Sequence, residues 1–223
     1  ELDRLTDAFD RMVTNQLKVR TSNSPAPNWR RNERRRSGMP NIPRALTGDL
    51  TNIVVAYGER ELVRRDAPDG PGDHQPAPLY WTALRLGGGE SFKCAIQSES
   101  FDNKNLLAHL RLPLTEIQNA VSRGEFRERW RQFVRPQDRV VVFHNSTAVL
   151  LENVNAKFAS HLVLKSVKLA EARSIMDRVD DSNSLPADLR NGSRASQRLA
   201  NLVALVEYLN KNYHGASDEI LSE

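Results

Sequence analysis

Asn52-Ile53-Val54-Val55-Ala56-Tyr57-Gly58 is the stretch on which the fold turns. It is short, apolar and β-branched, and Asn and Gly bound it, so it reads as a buried strand rather than a helix. Downstream, Asp66 to Asp73 with Pro76 and Pro78 make a Gly/Pro-rich flexible loop over 66–78. Leu79–Leu86 and Ser91–Gln97 are strand-like runs on either side of Gly87-Gly88-Gly89, the pattern of a hairpin. Thr115–Ala120 and Glu125–Val134 are helical, the second with Phe126, Trp130, Phe133 and Val134 on one side. Pro136-Gln137-Asp138 turns the chain into a second buried strand, Arg139-Val140-Val141-Val142-Phe143. A helix near 147–156, a third apolar run at His161–Leu164, a helix over 166–177, a polar loop over 180–193 and a helix over about 194–212 follow. This order predicts an α/β fold with a mixed sheet. An antiparallel three-stranded opening leads into helix-linked parallel strands, and helices flank both.

Upstream the character changes. Leu2, Leu5, Phe9, Met12, Val13 and Leu17 recur at helical spacing, so residues 1–20 read as an amphipathic helix whose apolar partner lies elsewhere. Residues 21–44 hold Pro25 and Pro27 and then Trp29–Arg36 with five arginines, a linker that cannot build a core. The expected body spans 45–213, with a tail over 214–223. Residues 1–44 carry ten Lys/Arg against five Asp/Glu, and the remaining residues carry twenty-two against twenty-three. The net charge of +4 is therefore confined to the N-terminal fifth.

Composition removes several classes. The chain has 223 residues, 39% apolar, and a mean hydropathy of −0.56. No run approaches the roughly 18 apolar residues of a membrane helix, and no secretory signal opens the chain. The single cysteine, Cys94, excludes an internal disulfide and a multi-cysteine zinc site, which fits a cytoplasmic protein. Beginning at Glu1 in a helical pattern, the sequence is expected to continue a longer protein.

Three groups of residues invite a functional reading. Arg30, Arg31, Arg34, Arg35 and Arg36 beside Trp29 suit phosphates and a stacked base, against the plainer reading of a solvated linker. Glu59 and Glu61 end the first strand, where an α/β sheet presents its active groups, and are candidate ligands for one metal. His144-Asn145-Ser146 ends another strand, His144 as a possible general base, with Asn145 or Ser146 expected to cap the next helix. Trp81 and Trp130 sit in periodic runs and read as core; the remaining histidines have no ligand spacing.

The ordered set of stations over residues 48–212 resembles the ribonuclease-H-like fold of DEDD-type 3′–5′ exonucleases. Ile53–Glu59 stands where that family has a strand ending in Asp-x-Glu, and His109–Val121 resembles its passage after the hairpin. Val140–Asn145 resembles its His-Asn strand, and Ser193–Leu209 its final helix. The resemblance implies four carboxylates holding two divalent metals. Residue by residue, Tyr57 takes the first Asp position, Glu59 remains, Val149 takes the third and Arg198 the fourth. The resemblance therefore implies a retained fold with a vestigial cleft of Tyr57, Glu59, His144, Asn145, Val149 and Arg198, without metal or catalysis. Tyr57 is expected to fill the cleft against Val149 or Leu150, and Arg198 to pair with Glu59. An active Mg²⁺- or Mn²⁺-dependent nuclease would need rewired ligands from Glu59, Glu61, Asp102 and Asp188. A protein-interaction scaffold is the third reading.

Phe9–Leu17 followed by the arginine-rich tail resembles the C-terminal end of DTW-domain proteins. That family includes tRNA-uridine aminocarboxypropyltransferases, so the resemblance implies S-adenosylmethionine in an upstream domain only. It also implies tRNA or another nucleic acid as partner. The sequence-based expectation is a nucleic-acid-binding accessory module for a tRNA-modifying enzyme.

Overall fold

The computed structural model describes residues 42–61, 75–166 and 185–213. Contact density divides the chain between Met39 and Pro40, and all described residues belong to the second unit. The helix expected over 1–20, the arginine-rich linker with Trp29, the 62–74 part of the loop, most of the 166–177 helix and the tail lie outside the described residues.

Strands β1 (Ile53–Arg60), β2 (Pro78–Arg85), β3 (Ser91–Ala95), β4 (Arg139–Val142) and β5 (Ser160–Val163) form one sheet in the order β3-β2-β1-β4-β5. β1–β2 and β2–β3 pair antiparallel, while β1–β4 and β4–β5 pair in parallel. Helices α1 (Lys104–Leu110), α2 (Leu114–Gln118), α3 (Arg123–Phe133), α4 (Asn145–Asn153) and α5 (Arg194–Tyr213) flank it. The mixed α/β sheet expected from the apolar runs is present.

β1 is apolar on both sides because both faces are covered. Val54 and Ala56 join Trp81, Phe92, Phe126, Trp130, Leu150 and Leu151 in one core, roofed by α3 and α4. Ile53 and Val55 join Leu46, Leu199, Leu202, Val203 and Val206 in the other, roofed by α5. The first core is aromatic: Trp130 meets Trp81 edge-on at 5.7 Å and Phe92 at 5.2 Å. Such pairs add about 0.5–1.5 kcal/mol beyond burial. On the second face Asn210 Nδ2 donates to the carbonyls of Leu46 (3.1 Å) and Gly48 (2.7 Å), tying the segment before β1 to the end of α5.

Two local devices shape β1 and β2. Gly58 lies opposite Trp81, and a Cβ there would stand 2.3 Å from the indole ring. Past Glu59 the register shifts: Glu59 pairs with Tyr80 but Arg60 with Pro78, leaving Leu79 as the bulged residue. At the other end of β2, fully buried Arg85 binds Glu90 (3.0 Å), Asp138 and the carbonyl of Phe133 (2.6 Å). Asp138 also accepts from the Arg135 amide (2.7 Å), so one ionic knot joins the hairpin to the turn between α3 and β4.

Several sequence expectations need correction. β2 begins at Pro78, where the loop was expected to persist. α1, capped by Asn103, was not anticipated; its seven residues are too few to show a periodicity. α4 begins at Asn145 rather than 147 and ends at Asn153, with His144 in the cap position and no side chain bonding there. Neither Asn145 nor Ser146 is the cap. Among the described residues no helix is long and apolar enough to cross a membrane.

Candidate functional site

Parallel pairing of Val55 with Val141 brings the end of β4, at Val142, level with Ala56, beyond which β1 runs on through Tyr57 and Glu59 to Arg60. Period-two alternation places Tyr57 and Glu59 on the face covered by α5. Their cross-strand neighbours on β2 are Thr82 and Tyr80. Tyr57 is half-buried and packs on the α5 core, as does Phe143 just beyond β4.

Glu59 is the buried acid of this region, with 6% of its surface exposed. Its Oε2 accepts from Arg194 Nη1 at 3.3 Å. Burial pushes its pKa up, against the pull of Arg194, Tyr57, His109 and Arg198. The Tyr57 hydroxyl neighbours the same carboxylate, yet buried Oε1 has no partner in full hydrogen-bond geometry. Burial, and then Glu59, push the Tyr57 phenol up to about 12. Arg194 opens α5, held there by the Ser193 Oγ cap on the Ser196 amide (3.1 Å).

Arg198 lies one turn further along the same helix face and is exposed. Its charge adds a minor downward pull on the Tyr57, Glu59 and His144 pKa values. The Lys165 amide donates to the Phe143 carbonyl at 2.9 Å, anchoring the turn after β5 beside His144. Burial first, then Lys165 and Arg198, hold the His144 pKa below its ordinary value. Neither Arg198 nor Lys165 makes an ion pair among the described residues.

The partner of Glu59 is Arg194, not Arg198 as expected from the sequence. Both arginines are one turn apart, so spacing from the strand could not choose between them. The expected contact of Tyr57 with Leu150 is not made. Leu150 reaches β1 from the opposite face, within 3.5 Å of where a Gly58 Cβ would be. Half-buried Val149 is carried by that same helix, whose Ala148, Leu150 and Leu151 belong to the aromatic core. Arg194, Lys165 and His109 were missed as site residues. The i, i+4 spacing of Arg194 and Arg198 was the one available signal.

The other candidate ligands are committed elsewhere. Glu61 accepts from Arg123 (3.0 Å), the Ala77 amide (3.1 Å) and Ser98 Oγ (3.1 Å). Asp188 accepts from Ser91 Oγ, and Asp102 is exposed in a 3-10 turn. Among the described residues no group of three or more His, Cys, Asp and Glu is placed to hold a metal. The resemblance to metal-dependent exonucleases would put tyrosine, valine and arginine at three of four ligand positions, and in the structure a guanidinium already holds the fourth residue, Glu59. A search against known protein families and curated proteins finds no match for this chain.

Proposed function

We propose that this chain is a non-catalytic nucleic-acid-binding module of ribonuclease-H-like architecture that serves a tRNA-modifying enzyme. One observation carries the binding reading: the cleft at the strand ends is charge-inverted. A metal-dependent nuclease concentrates carboxylates there. Here the buried carboxylate of Glu59 is paired with Arg194 and lies within the electrostatic reach of Arg198 and His109. A cationic cleft binds phosphate oxygens directly, without an intervening metal. The five linker arginines supply a second, sequence-independent phosphate contact. The architecture is compatible with an antiparallel opening and parallel continuation, and the tRNA assignment rests on the resemblance to DTW-domain proteins.

The test measures labelled tRNA binding to the full chain at about 50 and about 200 mM salt. Five phosphate contacts at a slope near −0.7 each predict about a hundredfold loss of affinity across that range. Replacing Arg30, Arg31, Arg34, Arg35 and Arg36 by Gln should flatten the dependence. Negligible binding at the lower salt rejects the proposal.

A further inference from the structure

We infer that one flank of α3 binds single-stranded nucleic acid, Arg127 and Arg131 holding its phosphates while a base stacks on the Arg131 guanidinium above Phe158. This rests on the nucleic-acid reading above and adds a contact separate from the arginine-rich linker. α3 carries four arginines against two glutamates. It buries Phe126 and Trp130, with Phe133 packed beside them, in the aromatic core. Steps of four residues place Arg123, Arg127 and Arg131 in a row along one flank of that buried side. Contacts fix both ends of the row. Arg123 Nη2 donates to Glu61 Oε1 at 3.0 Å and Oε2 at 3.1 Å. Eight residues on, Arg131 Cζ stands over the Phe158 ring, 5.6 Å from its centre.

Not every arginine of the helix is available. Arg123 is committed to Glu61, and Arg129, off this flank, pairs with Glu125 at 2.5 Å. Arg127 meets Glu128 at 3.6 Å, an exposed contact too long for a hydrogen bond, which a phosphate displaces readily. Exposed Arg131 has no carboxylate partner among the described residues, and Glu152, near Phe158 in the chain, is held by Lys157. Two available guanidiniums thus lie one turn, about 6 Å, apart along the helix. Their planar forks match phosphate oxygens. Phe158 is half-buried against the aromatic core and steadies the Arg131 guanidinium, whose plane offers a second stacking surface to a base. Only an unpaired base can reach that surface, so a single strand is favoured over a duplex. An acidic peptide would meet the charges but gain nothing from the plane.

The experiment uses the full chain with a labelled, unstructured single-stranded RNA, the same RNA in a duplex, and poly-glutamate. Arg131→Gln should weaken single-strand binding about tenfold, the scale of one lost stacking contact, and duplex binding far less. Arg131→Lys keeps the charge but loses the plane, and should weaken single-strand binding nearly as much. Arg127→Gln should lower the salt slope by about 0.7, one phosphate contact. Single-strand affinity unchanged in Arg127→Gln and Arg131→Gln overturns the inference; loss on replacing the five linker arginines then leaves the nucleic-acid reading standing. Wild-type affinity in Arg131→Lys, or poly-glutamate binding that Arg131→Gln weakens as much as RNA binding, also overturns it, since charge alone would then explain the flank. No RNA binding by the unaltered chain rejects the nucleic-acid reading, and the inference with it.

Discussion

Glu59 is an acid whose surroundings favour its protonated form even with Arg194 beside it. Its folded pKa lies above that of the unfolded chain. The stability it contributes is therefore present below about pH 4.3 and is lost as pH rises through the folded value. Glu59→Gln should remove this loss: its urea midpoint at about pH 7 should equal or exceed wild type, with the gain shrinking toward about pH 4. A variant less stable at both pH values would mean that the Arg194 pair outweighs desolvation. His161 has the opposite sign. Both ring nitrogens are buried without partners, and burial followed by Lys157 lowers its pKa, with Glu152 opposing. Stability is then complete above about pH 6.5 and falls as pH drops and the unfolded chain takes up the proton. His161→Phe should flatten the pH dependence of the melting temperature between about pH 5 and 7; an unchanged slope refutes this. The facing of Tyr57 and Glu59 was legible from period two alone. Which arginine would answer Glu59 was not, because one helical turn separates two equivalent choices.

At the scale of elements, β1 and β2 fit because Gly58 leaves room for the Trp81 indole. Gly58→Ala would put a methyl 2.3 Å from the ring. The ring must move within a close-packed aromatic core, at a cost of roughly 1–3 kcal/mol, readable by chemical denaturation. The Arg85–Asp138 knot should be costlier to break from one side. Arg85→Met strands a fully buried carboxylate and should cost about 3–5 kcal/mol. Combining it with Asp138→Leu should recover much of that loss, though not all, because the Arg135 amide loses its acceptor. The strands were legible from their β-branched runs and the long helices from their apolar spacing. α1 and the start of α4 were not. α1 is too short for periodicity to emerge, and α4 is preceded by a histidine rather than a capping side chain. The side of the sheet that α4 covers depends on the crossover between strands, which local pattern does not encode, so Val149 and Leu150 were expected by Tyr57.

Across the whole molecule, the positive excess lies in residues 1–44, while the remaining residues carry twenty-two Lys/Arg against twenty-three Asp/Glu. Among the described residues no three or more His, Cys, Asp and Glu are placed to hold a metal. Millimolar Mg²⁺ or Mn²⁺ should leave the melting temperature unchanged, since a bound ion would raise it in proportion to the logarithm of its concentration. A rise with either ion would revive the nuclease reading. The mixed sheet has a further consequence, in time rather than space. β1 precedes β2 and β3 only slightly in the chain, but its other edge is closed by Ile53 pairing with Arg139. During synthesis at about 5–20 residues per second, that edge stays open for on the order of ten seconds after β1 emerges. An unpaired, doubly apolar strand is a template for association between nascent chains. Chains released before Arg139 should therefore aggregate, and those extended through β4 should gain solubility as β1 is sealed. The strand that anchors the finished sheet is thus its chief hazard while the ribosome is still at work.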